Sequence, residues 1–116
     1  MKKYQVVFHL DEDDSNRVKL VLNNIANLII DLGHENVEIE MVANARGVMA
    51  FLKESDSYVT QIDQLMRKNV RFVVCANTLR HLNIEKDSLL DSVEIVPAGV
   101  SELVKKQAQG WAYIRP

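Results

Sequence analysis

The chain carries one cysteine, Cys75, and it closes the apolar run Phe72-Val73-Val74. A single thiol excludes an internal disulfide and, with no second cysteine to resolve it, intramolecular dithiol exchange. What remains is chemistry that needs one sulfur: carriage of a persulfide or thioester, or exchange with a partner's thiol. A free cysteine also packs well as a small buried hydrophobe, so its position in the run matters. Cys75 is the last residue, not the middle one, and Asn77 offers the side chain of a helix N-cap. That order places the thiol just before a helix N-terminus, where backbone N–H groups and the helix dipole favour a thiolate. The size of the effect sets a condition. A thiol with a pKa of about 8.5 is only a few per cent ionised at pH 7, and half-ionising it takes about 2 kcal/mol. A helix end supplies about 0.3–1 kcal/mol. A reactive Cys75 therefore needs a cation as well, and Arg46, Arg80 and His81 are the ones expected on that face.

Other chemistries have weaker support. His9 ends the first apolar run and offers a base or a hydrogen-bond donor, or simply a satisfied strand-end histidine. His34, between Gly33 and Glu35, reads as loop surface, and His81 as helix surface. The three histidines and the cysteine are far apart in sequence, with no H-E-x-x-H and no paired cysteines, so no metal site is expected. The four glycines form neither G-x-G-x-x-G nor a P-loop, which leaves no nucleotide fingerprint and no cofactor. No G-x-S-x-G nucleophile elbow occurs. The acidic cluster Asp11-Glu12-Asp13-Asp14 reads as a solvated helix start, where negative charge is favourable.

The elements that must position these residues follow from hydrophobic period. Tyr4 to Phe8 is a short run of β-formers. Val18, Val21, Leu22, Ile25, Leu28, Ile29 and Leu32 line one face of a helix that begins near Ser15 and ends at Gly33. Val37, Ile39 and Met41 alternate with Glu38 and Glu40, the pattern of a half-exposed strand near a sheet edge. A short helix is expected over Gly47 to Leu52, and another carries Tyr58, Ile62, Leu65 and Met66. Phe72 to Val74 reads as a strand buried on both faces. A short helix or turn over Thr78 to Leu82 and a turn near Asp87 to Leu90 follow. Val93, Ile95 and Val96 form a fourth strand stopped by Pro97. Val100, Leu103, Val104 and Ala108 make a last helix, and Trp111 to Ile114 a last strand. Alternation of this kind predicts right-handed βαβ crossovers and a mainly parallel sheet covered on both faces. Ligands of such sheets bind outside the carboxyl ends of the strands. The residues at those ends are His9 and Asp11, Asn44 and Arg46, Cys75 and Asn77, and Pro97, Ala98 and Gly99.

Bulk properties narrow the setting. At 116 residues with 47% apolar content, one domain over residues 1–116 can bury a core without disulfides or structural metal. The formal charge of −2 and the scattered basic pairs (Lys2, Lys3, Arg67, Lys68, Arg71, Lys105, Lys106) lack the basic stripe of a nucleic-acid binder and read as solvated surface. No signal-peptide pattern opens the chain and no apolar run approaches the ~20 residues of a membrane span, so a cytoplasmic location without membrane partners is expected.

Several segments together resemble the DsrE/DsrF-like family, and within it the branch of small stand-alone proteins. They are Val6-Val7-Phe8-His9-Leu10, Asn24-Ile25-Ala26-Asn27 and Val70-Arg71-Phe72-Val73-Val74-Cys75-Ala76-Asn77-Thr78-Leu79-Arg80. Val96-Pro97-Ala98-Gly99-Val100 and the tail from Gln107 to Pro116 complete the match. The resemblance implies an α/β fold, a three-layer α/β/α sandwich over a five-stranded, mainly parallel sheet, assembled into homo-oligomers. It also implies a sulfur relay in which persulfide sulfur rides on a cysteine after the third strand, the position Cys75 holds, passed between sulfur donor and acceptor proteins. Asn77 would then cap the helix, and Arg80 or His9 would stabilise the charged sulfur. Asn44 and Gly99 complete the expected binding residues. Two other readings stand beside this one: a non-catalytic oligomeric domain that binds a ligand or partner at the strand ends, and a thiol redox sensor.

Overall fold

The computed structural model describes residues 3–116; Lys2 of the first basic pair lies outside them. Five strands, β1 (Tyr4–Leu10), β2 (Val37–Ala43), β3 (Arg71–Cys75), β4 (Glu94–Val96) and β5 (Ala112–Ile114), form one sheet in the order β4-β3-β2-β1-β5. Every pairing is parallel. Four helices connect them: α1 (Ser15–Leu32), α2 (Val59–Met66), α3 (Ala76–His81) and α4 (Gly99–Ala108).

Strand order and handedness together decide which face each helix covers. From β1 to β4 the chain steps across the sheet in one direction, and right-handed crossovers put α1, α2 and α3 on one side. The return from β4 to β5 runs the opposite way, so the same rule puts α4 on the other face. The core divides accordingly. Val6, Phe8, Leu10, Ile39, Met41, Phe72 and Val74 meet α1, α2 and Leu79 of α3 on the first face. Val7, Val42 and Val73 meet Leu103 of α4 and Trp111 on the second.

Local signals set the helix ends. Asp14 caps α1, its carboxylate accepting from the Arg17 N–H at 3.2 Å. Gly33 ends it at φ 90°, a left-handed conformation suited to glycine, with its N–H on the Ile29 carbonyl at 2.8 Å. The residues after β2 form a 3₁₀ segment over Ala45–Phe51, where the sequence predicts a short helix. Gly47 is required there by close approach: a Cβ at this position would stand 2.2 Å from the Leu10 carbonyl oxygen.

The expectation that β2 lies near an edge is overturned. It is the middle strand, paired with β1 over Val37–Ala43 and with β3 over residues 40–43. The alternating glutamates gave the edge pattern, but Glu40 is fully buried beneath α4. One of its carboxylate oxygens accepts from Arg71 Nη1 at 2.9 Å, and Arg71 also forks onto Glu94. Above it, Glu102 and Lys106 of α4 form an i,i+4 pair at 3.8 Å, and the Lys106 ammonium stands 4.6 Å from the Trp111 ring centroid. Arg71 and Lys106, expected as solvated surface, therefore form the charged lining between α4 and the sheet. Burial, reinforced by the Glu102 carboxylate, pushes the Glu40 carboxyl up to about 7.

Candidate functional site

Two adjacent strands send their following helices to opposite faces: β3 to α3 on one side, β4 to α4 on the other. A crevice opens at such a reversal, outside the carboxyl ends of the strands. A cavity of about 610 Å³ occupies it, lined by Asn44, Ala45 and Arg46 after β2, by Cys75, Asn77, Thr78, His81 and Leu82 along α3, and by Ala98, Gly99 and Val100 at the start of α4.

Cys75 is 6% exposed, so the sulfur is nearly enclosed while still lining the cavity. It takes the N-cap position of α3 itself, with extended backbone (φ −82°, ψ 119°). The expectation that Asn77 caps this helix is corrected, because α3 begins at Ala76 and Asn77 lies in its first turn. Burial pushes the Cys75 thiol up. The Gly99 amide, the Thr78 amide and hydroxyl, and the Asn77 amide outweigh it, leaving the thiol below its ordinary value. The Thr78 hydroxyl has its proton available because its oxygen already accepts the Ala45 N–H at 3.0 Å. Ala45 presents that N–H from a left-handed conformation (φ 48°), which costs a residue with a Cβ about 1–2 kcal/mol.

The help expected from a cation is thus supplied by peptide dipoles of two helix starts. Arg46 lies at the rim but is bound to Asp13, Nη2 to Oδ2 at 2.9 Å, and holds that carboxyl below its usual range. Arg80 turns away from the cavity, donates to Asn77 Oδ1 and lines a separate groove with Glu85 and Asp87. The acidic cluster is also more organised than a solvated helix start: Asp11 receives the Arg115 fork, Asp13 receives Arg46, and Asp14 caps α1. Among the described residues no group of three or more His, Cys, Asp or Glu side chains is placed to hold a metal.

Of the expected site residues, Cys75, Asn44, Asn77 and Gly99 meet at the cavity. Gly99 allows the close approach: a Cβ there would stand 3.2 Å from the Asn44 Cβ and 3.3 Å from the Cys75 Cβ. His9 stands behind this wall, its Nε2 2.9 Å from Asn44 Oδ1 and its Nδ1 2.6 Å from the Tyr113 hydroxyl. His81, one of the cations expected on the Cys75 face, does line the cavity, and Thr78 joins the lining without having been expected there. Thr78 had a signal, since it sits three residues past the strand end in the first turn of the helix.

An all-parallel α/β sheet with a tuned thiol at its topological reversal defines the class. The chain belongs to the DsrE/DsrF-like family, whose model matches residues 2–116. It is similar to a solved protein of unknown function, MTH1491 from Methanobacterium thermoautotrophicum, at 46% identity and a TM-score of 0.92, covering 97% of this chain and 99% of that one. It shares its fold with the ychN protein from E. coli at 18% identity and a TM-score of 0.80, each chain covered completely. No match was found among curated proteins. Among the described residues no helix is long and apolar enough to cross a membrane.

Proposed function

We propose that this protein is a single-thiol sulfur carrier with Cys75 as the acceptor. The observation that carries the reading is a nearly buried thiol held below its ordinary pKa by amides from α3 and α4 while lining a cavity. Membership of the DsrE/DsrF-like family, linked to sulfur relays, supports it. In the loading step the Cys75 thiolate attacks the outer sulfur of a donor persulfide R–S–SH. The donor S–S bond breaks, its electron pair leaves on R–S⁻, and the new S–S bond makes Cys75–S–SH. No external oxidant is needed. The same exchange in reverse passes the sulfur to an acceptor thiolate.

The expected result of incubation with a persulfide donor is a mass gain of one sulfur atom, removable by reductant and absent in Cys75→Ser. No gain, or an equal gain in Cys75→Ser, overturns the reading. A homo-oligomer fits the exposed apolar residues Val100, Val104 and Tyr113 on the α4 side of the sheet. A second reading draws on the apolar part of the cavity wall, Ala45, Leu82, Ala98 and Val100: a small ligand binds there without using the thiol. It requires that Cys75→Ala bind that ligand as well as the natural chain does.

A further inference from the structure

A hydrogen-bonded chain runs from the sheet edge to the cavity. Tyr113 on β5, His9 on β1 and Asn44 after β2 are linked by contacts of 2.6 and 2.9 Å. The directions of these bonds follow from the groups. Asn44 Oδ1 is an amide oxygen and only accepts, so His9 Nε2 donates to it and Nδ1 of the neutral ring accepts from the Tyr113 hydroxyl. That leaves Asn44 Nδ2 as the free end. It makes no hydrogen bond within the described chain, and Asn44 lines the cavity beside Cys75. The ladder of β2 and β3 ends at Ala43 and Val74, so Asn44 and Cys75 are the next residues on neighbouring strands, about 5 Å apart across a sheet.

We infer that Asn44 donates a hydrogen bond from Nδ2 to the outer sulfur of a persulfide on Cys75, with His9 and Tyr113 as positioning residues that fix which way the amide points. This rests on the sulfur-carrier reading and divides its labour. The inner sulfur is held by the amides of Gly99, Thr78 and Asn77. The outer sulfur, one S–S bond further into the cavity, lies beyond those amides on the Asn44 side. A donor there favours the anionic perthiolate and slows its loss to solvent.

The test loads the full chain with inorganic polysulfide and confirms one added sulfur by intact mass. Alkylation rates with iodoacetamide are then followed against pH, before loading for the thiol and after loading for the persulfide. Asn44→Ala is expected to raise the persulfide midpoint by about one unit, a tenfold change in ionisation, and to move the thiol midpoint much less. Asn44→Asp, which keeps the shape but places a carboxylate beside the outer sulfur, is expected to raise it further. Tyr113→Phe, which frees the His9 tautomer, is expected to shift it in the same direction by a smaller amount. An unchanged persulfide midpoint in Asn44→Ala and Asn44→Asp overturns the role of Asn44, as does an equal shift of thiol and persulfide. Failure of the natural chain to gain a sulfur overturns the carrier reading, and this inference with it.

Discussion

Replacing Glu40 with glutamine should remove a pH dependence of stability that is built into the second face of the sheet. Glu40 is fully buried, and among the described residues its second carboxylate oxygen has no hydrogen-bond partner. The Glu102 carboxyl faces it from α4, and desolvation together with that neighbour raises its pKa from 4.5 to about 7. The titrating group is the buried Glu40 carboxyl, whose charged form is disfavoured by desolvation and by the neighbouring carboxylate. The sign follows from proton counting. Between pH 4.5 and 7 the folded chain holds a proton that the unfolded chain has released, so stability falls as pH rises through this window. The gap corresponds to about 3 kcal/mol at most. A glutamine here would keep an oxygen for Arg71 Nη1 and offer a permanent N–H₂ donor toward Glu102. Arg71 would remain paired with Glu94 through contacts of 2.9 and 3.2 Å. Glu40→Gln should therefore match the natural chain near pH 5 and exceed it increasingly, by up to about 3 kcal/mol, near pH 8. Urea unfolding reads this directly, because the chain has a single tryptophan and Trp111 is buried beside Lys106. Contributions from other groups are common to both proteins and cancel in the difference. A difference that stays constant from about pH 5 to pH 8, or that favours the natural chain at high pH, refutes the account of a protonated, buried Glu40.

Two further substitutions probe how the site is built. Gly47→Ala would drive a Cβ into the Leu10 carbonyl, where the backbone must move; a loss of about 1–3 kcal/mol is expected in the same unfolding assay, and a neutral result would show that the 3₁₀ segment is not tied to β1. Val104→Asp places a charge on the outer face of α4, where Val104 is 60% exposed. If that face joins two copies of the chain, light scattering will show the variant as a smaller species than the natural protein. An unchanged mass with unchanged folding rules the face out.

Most of the element pattern was legible because it is written in local period. The apolar face of α1, the Asp14 and Gly33 ends, and the continuous run of β3 each follow from a few neighbouring residues. Glu38 and Glu40 show the limit. Alternation reports that every second residue is polar, and solvent is the commonest reason, but a buried ion pair gives the same pattern. Only the partner on β3, Arg71, distinguishes the two, and it lies 31 positions away.

By itself, the sequence determined that this chain alternates strands and helices, that one thiol closes a strand, and that Asn44, Cys75 and Gly99 lie at the carboxyl ends of three strands. The tertiary structure decided what surrounds that thiol. Besides the Thr78 hydroxyl, its tuning comes from main-chain amides, which every residue but proline carries, so no residue type announces them. It also decided that β2 runs through the middle of the sheet, that Arg80 faces away, and that His9 reaches Asn44 instead of the sulfur. These outcomes depend on strand order and on the reversal between β4 and β5, which bring together residues that no local period connects.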